Sequence, residues 1–173
     1  VPEFGYIADI ETDLHDDNTV YVVVQNFKRG DFRPYVLKST DRGQNWNLIT
    51  GNLPQRGSVY CLKQDHVNPK LLFCGTEFGC FTTVDGGEKW FALRSGLPTI
   101  AIRDMQIQRS ENDLVLGSFG RGFFILDDYS PLRDLKPEIL DANHVFPIKK
   151  GEMYQVVSVM GVNGRGFQGA NFY

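Results

Sequence analysis

One motif occurs twice in this chain, and the fixed spacing between its copies constrains the fold more than any other sequence feature. Segment 39–46 reads Ser-Thr-Asp-Arg-Gly-Gln-Asn-Trp, and segment 83–90 reads Thr-Val-Asp-Gly-Gly-Glu-Lys-Trp. The same offset of 44 residues relates five matched pairs: Asp41 and Asp85, Gly43 and Gly87, Trp46 and Trp90, Leu53 and Leu97, Pro54 and Pro98. A period of this length predicts a repeat protein in which each repeat is one small structural unit.

Short segments of alternating polar and apolar residues, separated by turn residues, predict that each unit is a β-sheet. The first repeat contains four such segments, 6–11, 19–26, 35–39 and 46–49, and the second contains 58–64, 71–76, 80–83 and 90–93. The third contains three, 102–108, 114–118 and 122–126. Thirteen Phe, seven Tyr and 18 Gly fit an all-β chain. We therefore expect an all-β fold with about three four-stranded β-propeller blades in an incomplete ring.

The repeats divide the chain into two expected regions. Residues 1–130 form the blades, as repeats 5–54, 55–98 and 99–130, with eight extra residues near 26–34 that we interpret as a surface loop. The third repeat lacks the Gly and Trp of the motif and has Asp127 and Asp128 where its aspartate is expected. Residues 131–173 are expected to form a short helix capped by Ser130 and running toward Leu140, then strands at 144–148 and 153–160, as a C-terminal extension. These elements either close the propeller or start a further β domain.

Charge and cysteine content exclude several classes of function. The formal net charge is −3 with scattered Lys and Arg, which argues against nucleic-acid binding. No segment has the ~20 apolar residues of a membrane span. Cys61, Cys74 and Cys80 are interpreted as small buried residues, with a disulfide between Cys74 and Cys80 the less favoured alternative. The three histidines lack metal-ligand spacing, so no metal or cofactor is predicted.

In the repeated motif, the residue types predict a structural role in a hairpin turn. A carboxylate at Asp41 or Asp85 can accept several backbone N–H groups of its own turn. The glycine two residues later supplies a positive φ, and the tryptophan returns to pack between blades. Calcium binding or catalysis by these aspartates is the less favoured alternative, because a carboxylate consumed by its own turn has little capacity left for a ligand.

At these residues the chain resembles the Asp-box, or BNR-repeat, propellers, which include sialidases, xyloglucanase-type glycoside hydrolases and the sortilin luminal propeller. Four segments are similar to bacterial proteins described as sortilin-like or BNR-repeat glycosyl hydrolases: Arg-Pro-Tyr at 33–35, Gly-Thr-Glu-Phe-Gly at 75–79, Ile-Arg-Asp at 102–104 and Gly-Arg-Gly-Phe-Phe-Ile-Leu-Asp-Asp at 120–128. The resemblance implies a secreted, extracellular or periplasmic protein. It also implies that this chain is a C-terminal slice of a longer propeller protein.

Residues near a central channel are expected on the innermost strand of each blade. These candidates are Asp9, Glu11, Tyr60, Arg103 and Asp104, and alignment through Pro54 and Pro98 matches Tyr60 with Asp104. A structural ion pair between Arg103 and Asp104 that ties adjacent blades is the favoured alternative to a ligand site.

Arg121 lies between two glycines, which free its guanidinium to reach a carboxylate. Binding of an acidic sugar is one interpretation, and a structural salt bridge or a blade-closing contact is the favoured one.

Two functions follow as hypotheses. The first is a non-catalytic scaffold that binds a peptide or glycan through the complete propeller. The second is part of a glycoside hydrolase whose other catalytic groups lie on further blades, which requires two carboxylates ~5–10 Å apart across a sugar. We favour the first and do not expect this chain alone to be an enzyme. Expected partners are the remaining blades of the parent propeller, and self-association through open blade edges is a further possibility.

Overall fold

A computed structural model describes residues 2–94, 96–135 and 145–147, and these residues form three antiparallel sheets. The first sheet contains β1 (Tyr6–Thr12), β2 (Val20–Gln25), β3 (Val36–Ser39) and β4 (Asn47–Leu48). The second contains β5 (Val59–Gln64), β6 (Leu72–Thr76), β7 (Gly79–Thr83) and β8 (Phe91–Leu93). The third contains β9 (Ile102–Gln108), β10 (Asp113–Ser118) and β11 (Phe123–Leu126). Short 3₁₀ helices span Phe27–Arg29 and Ser130–Asp134.

The sequence prediction of an all-β fold in three small sheets is confirmed, and among the described residues the third sheet has the three predicted strands. The predicted helix differs in its start and its length. Tyr129 occupies the N-cap position, the Ser130 hydroxyl donates to the Asp128 carboxylate, and the helix ends at Asp134 instead of running toward Leu140. Val145–Pro147 form no strand, and the remainder of the segments predicted as strands at 144–148 and 153–160 lies outside the described residues.

Strands follow one another in sequence order across each sheet, so β1, β5 and β9 are the first strands of their sheets and lie side by side. The faces of the sheets pack on one another. Between the first and second sheets lie Tyr21, Val23, Val36, Leu53, Leu62, Leu72 and Trp90. Between the second and third lie Cys61, Leu71, Phe73, Ile102, Met105, Leu114, Leu116 and Tyr129. The described sheets thus stack like consecutive blades of an open propeller.

All three cysteines are buried and free, which confirms their interpretation as small core residues. Burial raises the pKa of the Cys61 thiol to about 12, so this side chain stays neutral at physiological pH. The structure contains no helix long and apolar enough to cross a membrane within the described residues.

The two tryptophans of the repeated motif have different surroundings. The Trp90 ring is 3% exposed, packs against the first sheet, and donates its indole N–H to the Ile49 carbonyl at 2.9 Å. Trp46 is 38% exposed and donates to Gly43 of its own turn at 3.0 Å. Burial between sheets therefore distinguishes two residues that the sequence makes equivalent.

Trp90→Phe is expected to lower the free energy of unfolding by about 1–2 kcal/mol, because it removes the indole donor and leaves the Ile49 carbonyl without that partner. Trp46→Phe is the matched control and is expected to change stability by less than about 0.5 kcal/mol. Urea denaturation followed by circular dichroism measures both. Equal losses in the two variants would contradict the assigned roles.

Candidate functional site

Each inner strand carries a β-bulge near its start, and the bulges define equivalent positions. The pairing skips Ala8 in β1, Tyr60 in β5 and Arg103 in β9. A bulge leaves one residue unpaired and redirects its side chain. Tyr60 is therefore equivalent to Arg103, and the sequence alignment that matched Tyr60 with Asp104 was wrong by one residue.

Two of the bulge residues, Tyr60 and Arg103, are in contact at the end of the sheets where the inner strands begin. The Arg103 guanidinium lies 3.9 Å from the centre of the Tyr60 ring and 5.1 Å from the centre of the Phe119 ring. Phe119 follows β10 and donates its backbone N–H to the Ala101 carbonyl at 2.8 Å, which holds the loop beside β9. A guanidinium on aromatic faces keeps the N–H groups at its edge available as donors.

The favoured ion pair between Arg103 and Asp104 is not formed, so that prediction was wrong. Arg103 stacks on rings of the second and third sheets, while the exposed Asp104 carboxylate accepts the N–H of Met105 at 2.8 Å. Arg103 still joins neighbouring sheets, but through aromatic stacking instead of charge pairing.

The other inner-strand carboxylates of the predicted channel have partners in the second sheet. Asp9 accepts the backbone N–H of Leu62 at 2.9 Å, and Glu11 forms a salt bridge with Lys63 at 2.6 Å. Both contacts run from β1 to β5. They fix the position of one inner strand beside the next, and they occupy the acidic groups that a hydrolytic site would need.

Arg121 lies in the loop between β10 and β11, where Gly120 and Gly122 both have positive φ. The side chain is exposed and enters no salt bridge with another described residue. The structure therefore does not place the favoured salt bridge of Arg121 among the described residues. The loop carries this cation next to Phe119 and Phe123.

This end of the sheets forms a rim of aromatic and basic side chains. It consists of the starts of the inner strands and the loops between the second and third strands. Five of its aromatic side chains are at least half exposed: Phe4, Tyr6, Phe78, Phe119 and Phe123. Its cations include Lys28, Arg29, Arg56, Arg103 and Arg121. We refer to these ten residues together with Tyr60 as the rim.

Further cation–ring contacts occur along the rim. Lys28 lies 6.0 Å from the Tyr6 ring centre, and Arg29 lies 5.2 Å from that of Phe4. Planar rings and guanidinium groups favour ligands with flat apolar faces and hydrogen-bond acceptors. The rim can therefore bind a ligand without supplying catalytic groups.

The repeated turns lie away from the rim, where the third strand of a sheet meets the fourth. Asp41 Oδ1 accepts the N–H of Asn45 at 2.8 Å, and Asp85 Oδ1 accepts those of Glu88 and Lys89 at 3.0 Å each. Hydrogen bonds from Asn45 lower the pKa of Asp41 to about 2. The geometry matches the structural role that the sequence analysis assigned to both aspartates.

A hydroxyl in each turn was missed by the sequence analysis. Ser39 Oγ donates to Asp41 at 2.8 Å and accepts the N–H of Gly43 at 2.8 Å. Thr83 Oγ1 makes the same two contacts in the second repeat, at 2.6 Å to Asp85 and 3.1 Å from Gly87. The available signal was a hydroxyl residue two positions before each aspartate.

Gly87 shows why the motif requires a glycine. Its φ is +105°, and an added Cβ would lie 2.7 Å from the Ile49 carbonyl oxygen of the first sheet. Gly43 has a φ of +86° and meets only Trp46, at 3.5 Å. Backbone conformation accounts for both glycines, and close approach between sheets adds to the requirement in the second repeat.

A buried polar cluster opposite the rim was also missed. Asp65 is fully buried after β5, where it accepts a hydrogen bond from Tyr129 Oη at 2.7 Å and two from Arg133 at 2.8 Å. The N–H of Asn68 donates to it at 2.7 Å. Burial opposes ionisation of Asp65, but hydrogen bonds from Arg133 and Tyr129 outweigh it and lower its pKa. The cluster fixes the chain after β11 to the second sheet.

Asp13 is the counterpart of Asp65 in the first sheet. It accepts hydrogen bonds from Tyr21 Oη and Gln64 Nε2, both at 2.8 Å, and from turn N–H groups. The separation of 52 residues between Asp13 and Asp65 equals that between Tyr21 and Phe73, and this was the available sequence signal. No group of three or more metal-ligating side chains lies close enough to hold an ion within the ranges that the structure describes.

Comparison with known proteins relates this fold to solved β-propellers. No family model matches the sequence, and no curated protein matches it. An ancestral GH74 enzyme is similar with a TM-score of 0.54 and 24% identity, over 68% of this chain and 14% of that protein. A GH74 enzyme from Niastella koreensis is similar with a TM-score of 0.57 and 18% identity, over 70% of this chain and 21% of that protein.

A third similar structure is that of YCF48 bound to a D1 peptide, with a TM-score of 0.50 and 19% identity, over 72% of this chain and 37% of that protein. The chain thus spans well under half the length of each of these three proteins. At these identities the likeness shows the fold alone. The architecture of the described residues is that of a β-propeller segment.

Proposed function

We propose that this chain is a non-catalytic, ligand-binding segment of an Asp-box propeller, and that the rim contacts a peptide or glycan. The observation that carries the proposal is the Arg103 guanidinium stacked on Tyr60 and Phe119. The stacked arrangement orients its N–H donors at low entropic cost, because the rings restrict the long side chain. Exposed rings beside a fixed donor group are typical of binding surfaces.

The inner-strand carboxylates support a binding role over a catalytic one. Asp9 and Glu11 are engaged by β5, and Asp104 accepts its neighbour's N–H. A glycoside hydrolase needs a carboxylic acid with a raised pKa and a second carboxylate facing it across the sugar. In the described inner strands these carboxylates are engaged by neighbouring groups, which favours a binding role. The peptide in the YCF48 structure is compatible with peptide recognition by this fold.

The second candidate function is a portion of a glycoside hydrolase whose remaining catalytic groups lie on other blades. The GH74 enzymes among the similar structures favour it as an analogy of fold. Release of reducing sugar from xyloglucan, abolished by Asp104→Asn with stability unchanged, would support this candidate and count against a purely binding role.

We further propose a cellular location and an assembly state for the protein. The Asp-box resemblance favours an extracellular or periplasmic location and assembly with further blades of a sortilin-like parent. The exposed apolar residues of the first sheet, such as Ile10 and Leu48, fit burial against another sheet or a second copy. Light scattering tests self-association, and a monomer at all concentrations would exclude the second copy.

Arg103→Ala is expected to weaken binding by at least about tenfold, or 1.4 kcal/mol, for ligands selected by the wild-type chain from a glycan array and a displayed peptide library. Arg109→Ala is the matched control, since Arg109 is exposed just after the far end of β9. It should bind as tightly as wild type. Isothermal titration calorimetry with each selected ligand measures the affinity of both variants. Whether ligands come from the glycan array or from the peptide library decides between a glycan and a peptide.

Two outcomes would contradict the proposal. One is that neither array yields a ligand for the wild-type chain. The other is that selected ligands bind Arg103→Ala and wild type equally, which would place the binding surface away from the rim. Circular dichroism of each variant separates a lost contact from a lost fold.

A further inference from the structure

A groove separates the outer strand of the second sheet from the last strand of the third. Its volume is about 250 Å³, and most of its lining is apolar. The residues that matter here are Leu93 and Leu97 on one side and Leu116, Phe124 and Leu126 on the other. All five belong to the apolar cluster between the two sheets. The groove is therefore an opening into the apolar cluster between the second and third sheets.

The interface between the first two sheets shows what fills the equivalent place. There Trp90 packs in the cluster that includes Leu53, with Ile49 against it, and its indole N–H bonds the Ile49 carbonyl. The repeat offset of 44 residues matches Ile49 with Leu93 and Leu53 with Leu97. The groove is thus the position of the motif tryptophan in the third repeat. That repeat has aspartate at the corresponding position 134.

No described residue forms the fourth strand that would carry this side chain in the third sheet. β3 and β7 each pair with strands on both sides, whereas β11 pairs only with β10 among the described residues. After β11, residues 127–135 cross to Asp65, which Tyr129 and Arg133 contact, and these residues form no fourth strand. Within the described part of the chain, no strand other than β10 pairs with β11, so its outer edge presents backbone donors and acceptors that another strand can pair with.

Along β11, side chains alternate in the manner of a strand with one buried face. Phe124 and Leu126 face the groove and the core, while Phe123 and Ile125 are 79% and 60% exposed. A strand beside β11 would therefore continue the same buried face. The edge and the groove together define one site for an extended segment with a large side chain.

We propose that this site binds an extended peptide segment that carries a tryptophan. The segment pairs antiparallel with β11, as β8 does with β7, and its indole fills the groove and donates to the Leu93 carbonyl. Both tryptophans of the 173-residue sequence already belong to the first two repeats. The segment therefore comes from outside this sequence. Only Phe123 belongs both to this site and to the rim of the proposed function.

The test uses a peptide with the sequence of residues 83–93, which contains the strand that fills the equivalent place in the second sheet. Fluorescence anisotropy of the labelled peptide measures its binding to the full chain. We expect Trp90→Ala in the peptide to weaken binding at least tenfold. In the protein, Leu97→Arg should weaken binding to the same degree, while Leu48→Arg, on the exposed outer strand of the first sheet, should leave it unchanged.

Hydrogen exchange measured by mass spectrometry locates the bound peptide in the wild-type protein, independently of any variant. Protection of the amides of residues 123–126 is expected, with none added in β4, the outer strand of the first sheet. Equal binding of both peptides, protection elsewhere, or no binding at about 1 mM peptide would overturn the proposal. Rim variants such as Arg103→Ala should not affect binding of this peptide. Failure of the peptide-site proposal can therefore be distinguished from failure of the proposed function.

Discussion

Asp65→Ala is expected to lower the free energy of unfolding by about 3–5 kcal/mol. The Asp65 carboxylate is fully buried and receives two hydrogen bonds from Arg133 and one from Tyr129. Its removal leaves a guanidinium that is 16% exposed and a buried phenol without their shared acceptor. The penalty arises from these unpaired groups more than from lost attraction. Urea denaturation at neutral pH measures the loss.

Asp13→Ala is the matched control because Asp13 occupies the same place in the first sheet without an arginine partner. Its acceptor contacts are to Tyr21, Gln64 and turn N–H groups. We expect a loss of about 1–2 kcal/mol, the usual range for neutral hydrogen bonds at a half-buried site. If both variants lost the same unfolding free energy, the ion pair between Asp65 and Arg133 would add nothing to the stability that the turn hydrogen bonds provide.

The pH dependence of the same variant checks the charge of Asp65. Its pKa in the folded protein is below the value of about 3.9 expected when the chain is unfolded. The stability from this group is therefore complete above about pH 4 and is lost as pH falls through the lower, folded pKa. The difference in unfolding free energy between wild type and Asp65→Ala should narrow below pH 4. A constant difference would indicate an uncharged carboxyl.

Local pattern was sufficient to predict the strands of this fold. Alternation of side chains and the 44-residue repeat located all eleven described strands, because each is short and several are bounded by turn residues, as β1 is by Gly5 and Asp13. The turn aspartates could also be interpreted from sequence, since their donors lie within four residues. Contacts between residues close in sequence can therefore be predicted from local sequence patterns.

The bulge at Arg103 left no such pattern. Nothing in the order of residues shows whether a strand contains a bulge residue. Alignment of the repeats through Pro54 and Pro98 therefore matched Tyr60 with Asp104. The structure shows the one-residue shift through the pairing of Gly117 with Asp104 and of Ser118 with Ile102. A single step along a strand changes which face a side chain occupies. The predicted ion pair is absent because Arg103 stacks on the Tyr60 and Phe119 rings, while the Asp104 carboxylate accepts the N–H of Met105.

The Asp65 cluster was beyond sequence reasoning for a different reason. Tyr129 and Arg133 lie 64 and 68 residues from Asp65, and only the packing of the second sheet on the third brings them together. No repeat relates them, because the third repeat departs from the motif after β11. Interactions between repeats that occur once in a chain are invisible to periodicity.

Gly75→Ala is expected to destabilise the fold by about 3 kcal/mol through a clash between sheets. Gly75 lies in β6, where an added Cβ would be 2.7 Å from the Ile102 carbonyl oxygen and 2.6 Å from Cys61 Sγ. The first is backbone of the neighbouring sheet and the second is a buried side chain, so neither can move without separating the strands. Urea denaturation measures the loss, and hydrogen exchange should show faster exchange in β9.

Gly117→Ala provides the matched control within the same molecule. Gly117 pairs with Asp104 in the third sheet as Gly75 pairs with Cys61 in the second. A Cβ added at Gly117 would lie 3.4 Å from the backbone carbonyl oxygen of Asp104. That is ordinary van der Waals contact, so a change of less than about 1 kcal/mol is expected. Both substitutions reduce backbone freedom in the unfolded chain equally, so their difference isolates the contact between sheets. If Gly75→Ala were as mild as Gly117→Ala, β6 and β9 would not approach this closely.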